Sequence, residues 1–126
     1  MVNKPKIQGT RFETKTKELL QSWGYKAYRL AEGGMADEGD VQVEIDNGLL
    51  PITEMIFECK ARQALNIHQT YAKAKEKAGS KPLVLAWKKL VKKGNNQKRT
   101  ADGVSTLYIV DEELLKELLH GYKRQT

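Results

Sequence analysis

Glu58 and Lys60 stand two residues apart in a stretch, Ile52 to Lys60, whose side chains divide between two faces as in a strand. A spacing of two in extended chain puts carboxylate and ammonium side by side on one face. Asp40 opens an earlier alternating stretch, Val41-Gln42-Val43-Glu44-Ile45, and Asp46-Asn47-Gly48 beyond it tolerates the left-handed backbone of a turn. Antiparallel pairing of the two stretches brings Asp40 toward Glu58 if the register matches. Two acids and a lysine at one point suit a hard cation such as Mg²⁺, which takes one or two carboxylates, keeps several waters and accepts phosphate oxygens. Such an ion activates water and polarises a phosphate, while Lys60 stabilises developing negative charge or helps position and deprotonate the water. The competing reading is a same-strand ion pair on a solvated face, which is worth little. The E-x-K triplet taken alone favours that second reading, because such triplets are frequent.

The elements that must hold these groups follow from periodicity. A first helix is expected from Thr10, with Phe12, Leu19, Leu20 and Trp23 at helical spacing and Gly24 as its stop. Tyr25 to Leu30 reads as a short strand, and Ala31 to Gly39 as a glycine-bearing loop. After the two strands of the candidate site, Asn66 caps a second helix with Ile67, Tyr71, Ala74 and Ala78 on one stripe, Lys73 and Lys77 on its exposed face and Gly79 past its end. Leu83 to Trp87 is apolar without alternation, the pattern of a central strand covered on both sides. Lys88 to Gly103 is a basic, irregular stretch, read as a long hairpin loop before a strand from Thr106 to Val110. Asp111 caps a last helix whose buried stripe is Leu114, Leu115, Leu118 and Leu119, with Gly121 beyond it. Trp23 and Trp87 are expected in the core, as is Cys59, whose parity matches Met55 and Phe57 and makes it an inert thiol. His68 is expected at the surface.

The charges are segregated. Glu32 to Cys59 holds eight acids and no Lys or Arg, whereas Lys60 to Arg99 holds twelve bases and one acid, within an overall net charge of +6. An acidic segment to hold a cation beside basic segments to hold a polyanion is what metal-dependent chemistry on a phosphate backbone needs. Nucleic acid is therefore the expected partner class. At 126 residues with 40% hydrophobic and 30% charged residues, the chain reads as one α/β domain, with 1–8 and 121–126 as loose ends. A single cysteine excludes an intrachain disulfide and a cysteine-based zinc cluster. There is no apolar run of membrane-spanning length, no secretion signal and no repeat, so a cytoplasmic protein without a membrane partner is expected.

With Gly39-Asp40-Val41 as its aspartate motif and Glu58-Cys59-Lys60 as its (D/E)xK, the chain resembles the PD-(D/E)xK nuclease superfamily. Within it, the chain is most similar to the archaeal-type Holliday junction resolvases, through Gly9-x-x-x-Glu13 on the first helix and Lys81-Pro82-Leu83-Val84-Leu85-Ala86-Trp87 after the second. The likeness spans about Gly9 to Trp87. Asp40 is not preceded by proline, and Asp37 and Glu38 lie near enough to rival it; Asp40 is preferred because Val41 leads directly into the strand. The resemblance implies a restriction-endonuclease-like αβββαβ core, with a mixed central sheet flanked by helices, binding of Mg²⁺ or Mn²⁺, hydrolysis of DNA phosphodiesters and homodimers acting on four-way junctions. It implies Asp40 and Glu58 as metal ligands, Lys60 as the catalytic lysine, Glu13 as an outer ligand and the Cys59 carbonyl as a further ligand. Glu13 has a rival use, since Thr10-Arg11-Phe12-Glu13 matches a capping box. Arg11, Arg62, Gln69, Lys73, Lys92, Lys93, Lys98 and Arg99 are the expected nucleic-acid contacts. Two other functions stay open: a nuclease of the same superfamily with another substrate, and a basic nucleic-acid-binding module without catalysis.

Overall fold

The computed structural model describes residues 4–30, 40–45, 54–93, 96–98 and 106–125. Its first helix, α1 (Lys4–Ser22), buries Phe12, Thr16 and Leu20, one stripe at a spacing of four. The Thr16 hydroxyl satisfies itself in that stripe by donating to the Phe12 carbonyl at 2.8 Å. α1 begins six residues before the expected start, with Pro5 in its first turn, where a missing N–H costs nothing. Thr10 thus stands inside the helix and cannot cap it, which removes the capping-box use of Glu13. At the other end the Ser22 hydroxyl donates to the Leu19 carbonyl at 2.6 Å, and Gly24 turns the chain at φ 95°. Trp23 falls in this turn, past the helical period, and is 59% exposed rather than in the core.

Three strands follow, β1 (Lys26–Arg29), β2 (Asp40–Glu44) and β3 (Glu54–Arg62), each antiparallel to the one before. Helix α2 (Ile67–Ala78) then crosses over, and β4 (Leu83–Lys89) lies parallel to β3. Next, β5 (Val91–Lys93) and β6 (Asn96–Lys98) pair as a separate two-stranded ribbon where an irregular loop was expected. The chain closes with β7 (Thr106–Ile109), antiparallel to β4, and helix α3 (Glu112–Gln125). The main sheet has the order β1-β2-β3-β4-β7. Among the described residues the architecture is α/β, a five-stranded mixed sheet with three helices.

Strand alternation sorts the side chains between two layers. On one face Ala27, Val41, Val43, Met55, Phe57, Cys59, Ala61, Val84 and Ala86 form the main core with Phe12 and Leu20 of α1 and Leu114 of α3. On the other, Ile56 and Leu83 pack under Ala74 of α2, with Tyr71 and Ala78 beside them. Leu83 to Ala86 are all buried, as a strand covered on both sides requires. α3 buries only part of its expected stripe: Leu114 is in the core and Leu118 packs on it, but Leu115 and Leu119 are exposed. One helical face of four adjacent leucines is wider than the sheet edge it covers. The helix also continues through Gly121 instead of ending there. No helix among the described residues is long and apolar enough to cross a membrane.

α2 is held in place from both ends. Its N-cap Asn66 accepts from the Gln69 amide at 3.1 Å. The Tyr71 hydroxyl donates to the Leu83 carbonyl of β4 and accepts the Asp111 amide, both at 3.0 Å, tying helix, sheet and the start of α3 together. Asp111 caps α3 through the Leu114 amide at 2.8 Å and pairs with Lys75 of α2. These contacts set the rotation of α2 over the sheet, and hence which of its side chains reach β2 and β3.

Candidate active site

β2 and β3 pair in a register that sets Asp40 directly against Glu58, with Gln42 opposite Ile56. Cross-strand partners point to the same side, so both carboxylates face α2. They lie where β2 begins, its backbone fixed by the Leu30 amide donating to the Asp40 carbonyl at 2.9 Å. Both are buried, Asp40 at 4% and Glu58 at 5% exposure. The Lys77 ammonium of α2 comes down on the pair, 3.2 Å from Asp40 Oδ2 and 3.8 Å from Glu58 Oε1. The other two oxygens, Asp40 Oδ1 and Glu58 Oε2, are buried without a hydrogen-bond partner.

Those two orphan acceptors are the exception on this face. Gln42, two residues along β2 and equally buried, has its amide nitrogen donating to the Tyr28 hydroxyl and to Glu54, and its oxygen accepting from Lys81 at 3.0 Å. Buried acceptors left bare beside a fully satisfied network mark a place where the fold lacks a group. Burial pushes the Glu58 carboxyl up to about 9, helped by a hydrogen bond to Asp40 and by Asp40's charge, against the opposing pull of Lys77 and Lys60. Without a bound cation the pair therefore holds a proton. Two carboxylates offering bare oxygens beside a cleft fit a hard divalent cation such as Mg²⁺. Among the described residues no cluster of three His, Cys, Asp or Glu forms, so a cation here would take protein oxygens from the pair and complete its shell otherwise.

A cleft of about 300 Å³ reaches the pair at Glu58 and is otherwise lined by Lys60, Arg62, Thr70, Lys73, Ala74 and Lys77. Lys60 follows Glu58 on the same strand face and is registered against Trp87 of β4. Arg62 extends that row to the end of β3, its carbonyl accepting from Trp87 Nε1 at 3.1 Å and from the Leu90 amide at 3.0 Å. Trp87 is half-buried, with the Lys89 ammonium 5.6 Å from its ring centre, and is not part of the core. Thr70, Lys73, Ala74 and Lys77 occupy one stripe of α2, and small Ala74 lets the helix approach the sheet. Lys77 and Thr70 were not among the residues expected at the site. The signal lay in their spacing from Lys73, but sequence alone assigns that stripe to the solvent side as readily as to the sheet.

The other expected residues lie elsewhere. Glu13 is buried on α1, across the sheet from the pair, and accepts from Arg29 at 3.1 Å. The Cys59 side chain is buried in the main core, where burial raises its thiol to about 12. Arg11 lines a separate groove with Thr14, Lys15 and Lys88 on the α1 side. Gln69 is exposed in the first turn of α2 and does not line the cleft, and His68 beside it is exposed. Lys92, Lys93 and Lys98 belong to the β5–β6 ribbon, and Arg99, Asp37, Glu38 and the Asn47-Gly48 turn lie outside the described residues. Compared with known proteins, the chain matches no family model, no curated protein and no solved structure.

Proposed function

We propose that this chain is a divalent-metal-dependent endodeoxyribonuclease of the restriction-endonuclease-like type, acting in the cytoplasm as a homodimer on branched DNA such as four-way junctions. One observation carries the reading: two buried carboxylates stand in register on adjacent strands, each with a bare oxygen, and one of them, Glu58, lines a cleft walled by Lys60, Arg62, Lys73 and Lys77. Asp40 and Glu58 would hold Mg²⁺ or Mn²⁺, with Cys59 offering its carbonyl, while Glu13, across the sheet, stays with Arg29. When bound, that ion supplies a more acidic water and a polarised phosphate. The chain's own part is electrostatic. Lys60 offers its ammonium to charge that develops on the phosphate oxygens, in a margin where water is partly excluded. In this reading Arg62 and Lys73, which line the cleft, would contact phosphates of the cut strand and position its backbone without reading bases. Lys92, Lys93, Lys98 and Arg99 would add further contacts to the phosphate backbone.

The test is cleavage of labelled four-way junction, flap, duplex and single-stranded DNA with Mg²⁺ or with EDTA. Paired, symmetric nicks confined to the junction and abolished by EDTA support the proposal. Metal-dependent cutting of the other shapes instead supports a nuclease of different substrate. A second reading, a basic nucleic-acid-binding module without catalysis, is favoured by one specific contact, the Lys77 ammonium that already neutralises the acid pair. It predicts salt-sensitive DNA binding with no cutting under any metal.

A further inference from the structure

The Lys77 contact also bears on how the site is loaded. Lys77 borders the stripe of α2 that packs on the sheet: its neighbours Ala74 and Ala78 belong to that stripe, while its own side chain is 41% exposed and ends on the two buried acids. Its ammonium touches one oxygen of each carboxylate, Asp40 Oδ2 and Glu58 Oε1, and the remaining oxygen of each is the one left bare. A cation bound between the carboxylates would stand within a few ångströms of that ammonium. Two positive centres so close repel strongly at a half-exposed margin.

We propose that Lys77 is a tethered counter-cation, occupying the acid pair when no metal is there and leaving it when a divalent ion binds. This inference rests on the reading of Asp40 and Glu58 as metal ligands, and adds regulation of that same site. The exchange needs no movement of the backbone. The carboxylates are held by the sheet, whereas the lysine hangs on a long flexible stem from a helix whose position is set by Tyr71 and Asn66. Loading is then a competition between a local ammonium at high effective concentration and a free divalent ion, and the intrinsic affinity of the pair is masked by the cost of displacing Lys77. The released ammonium stays at the wall of the cleft, beside Lys60 and Lys73, where a phosphate backbone would accept it. DNA and metal would in that case assist each other, since each takes one half of the Lys77–carboxylate contact.

Two measurements on the full chain test this, both without DNA cleavage. In the first, Mn²⁺ is titrated calorimetrically into wild type, Lys77→Met and Lys77→Arg. Lys77→Met should bind Mn²⁺ on the order of tenfold more tightly, the scale of one charge repulsion removed, and Lys77→Arg within about threefold of wild type. Equal affinity of wild type and Lys77→Met overturns the proposal while leaving the metal site standing. Absence of Mn²⁺ binding by all three overturns both. In the second, which needs no variant, the amines of wild type are acetylated briefly and the modified lysines read by mass spectrometry. Lys77 should be protected in EDTA and label faster with Mn²⁺, by severalfold relative to Lys73. An unchanged ratio overturns the exchange even if the affinities differ.

Discussion

Asp40 and Glu58 meet as direct partners across two antiparallel strands, both buried, with the Lys77 ammonium against one oxygen of each. Two carboxylates so placed cannot both ionise cheaply without a cation between them. The arrangement is costly for stability and useful for binding, which is how site residues commonly differ from core residues. It gives the pair measurable consequences even before any substrate is considered.

The first is a pH dependence. Glu58 holds its proton up to about 9 in the folded chain, against an ordinary value of 4.5. Between those values the folded state binds more protons than the unfolded state, so this group's contribution is fully present below about pH 4.5 and is lost as pH rises toward 9. Glu58→Gln keeps the neutral shape and can donate its amide to Asp40. In EDTA at pH 8 it should melt higher than wild type by about 3–6 °C, corresponding to roughly 1 kcal/mol, with the gap closing toward pH 5. Circular-dichroism melts at the two pH values check it; equal melting at pH 8 contradicts it.

Divalent ions should reverse that penalty. Millimolar Mg²⁺ or Mn²⁺ is expected to raise the melting temperature of wild type and to leave Asp40→Asn unchanged, because binding to the folded state alone stabilises it. The same substitution should lower junction cleavage by at least about a hundredfold while sparing or tightening DNA binding, since it removes a ligand and a repelling charge together. Thermal shifts and gel-shift affinities separate the two effects.

Lys60 and the walls of the cleft divide differently. Lys60→Ala should cut cleavage on the order of a hundredfold or more with little change in affinity, as befits a charge needed when the phosphate becomes more negative. Arg62→Ala with Lys73→Ala should instead weaken DNA binding uniformly and reduce the slope of log affinity against log salt by about one for each phosphate no longer neutralised. Substitutions at Lys92, Lys93, Lys98 and Arg99 should flatten the slope further. Fluorescence anisotropy at several salt concentrations reads all of these, and an unchanged slope returns the residues to solubilising charges.

The support of α2 makes a prediction about stability alone. Tyr71→Phe leaves the Leu83 carbonyl and the Asp111 amide without their shared hydroxyl and should cost about 1–3 kcal/mol. Asp111→Ala removes a helix cap and should cost about 1 kcal/mol. The hydrogen bond from Lys75, with that from the Leu114 amide, holds the Asp111 carboxyl below its ordinary range. Its contribution is therefore present above about pH 3.8 and is lost as pH falls through the lowered value. Denaturant titrations of the two variants at pH 7 and pH 3 measure both.

Local order was legible in the amino acids alone: which stretches are the strands of the main sheet, though not those of the β5–β6 ribbon, that Asp40 opens one, that Glu58 and Lys60 share a face of another, and that Leu83 to Ala86 run through a covered sheet. These follow from periods of two and from cap and turn residues, which act over a few neighbours. The start of α1 escaped because Pro5 is as much a helix opener as Thr10, and Trp23 because a helical stripe says nothing about the turn after it. The match of Asp40 to Glu58 in the β2–β3 register, and the rotation of α2 that brings Lys77 rather than Gln69 onto the pair, came from the folded chain. Register across a long connection and rotation of a helix over a sheet are set by packing between distant parts of the chain, here Ala74 on Ile56 and Leu83 and the Tyr71 hydroxyl on β4, and no local period contains them.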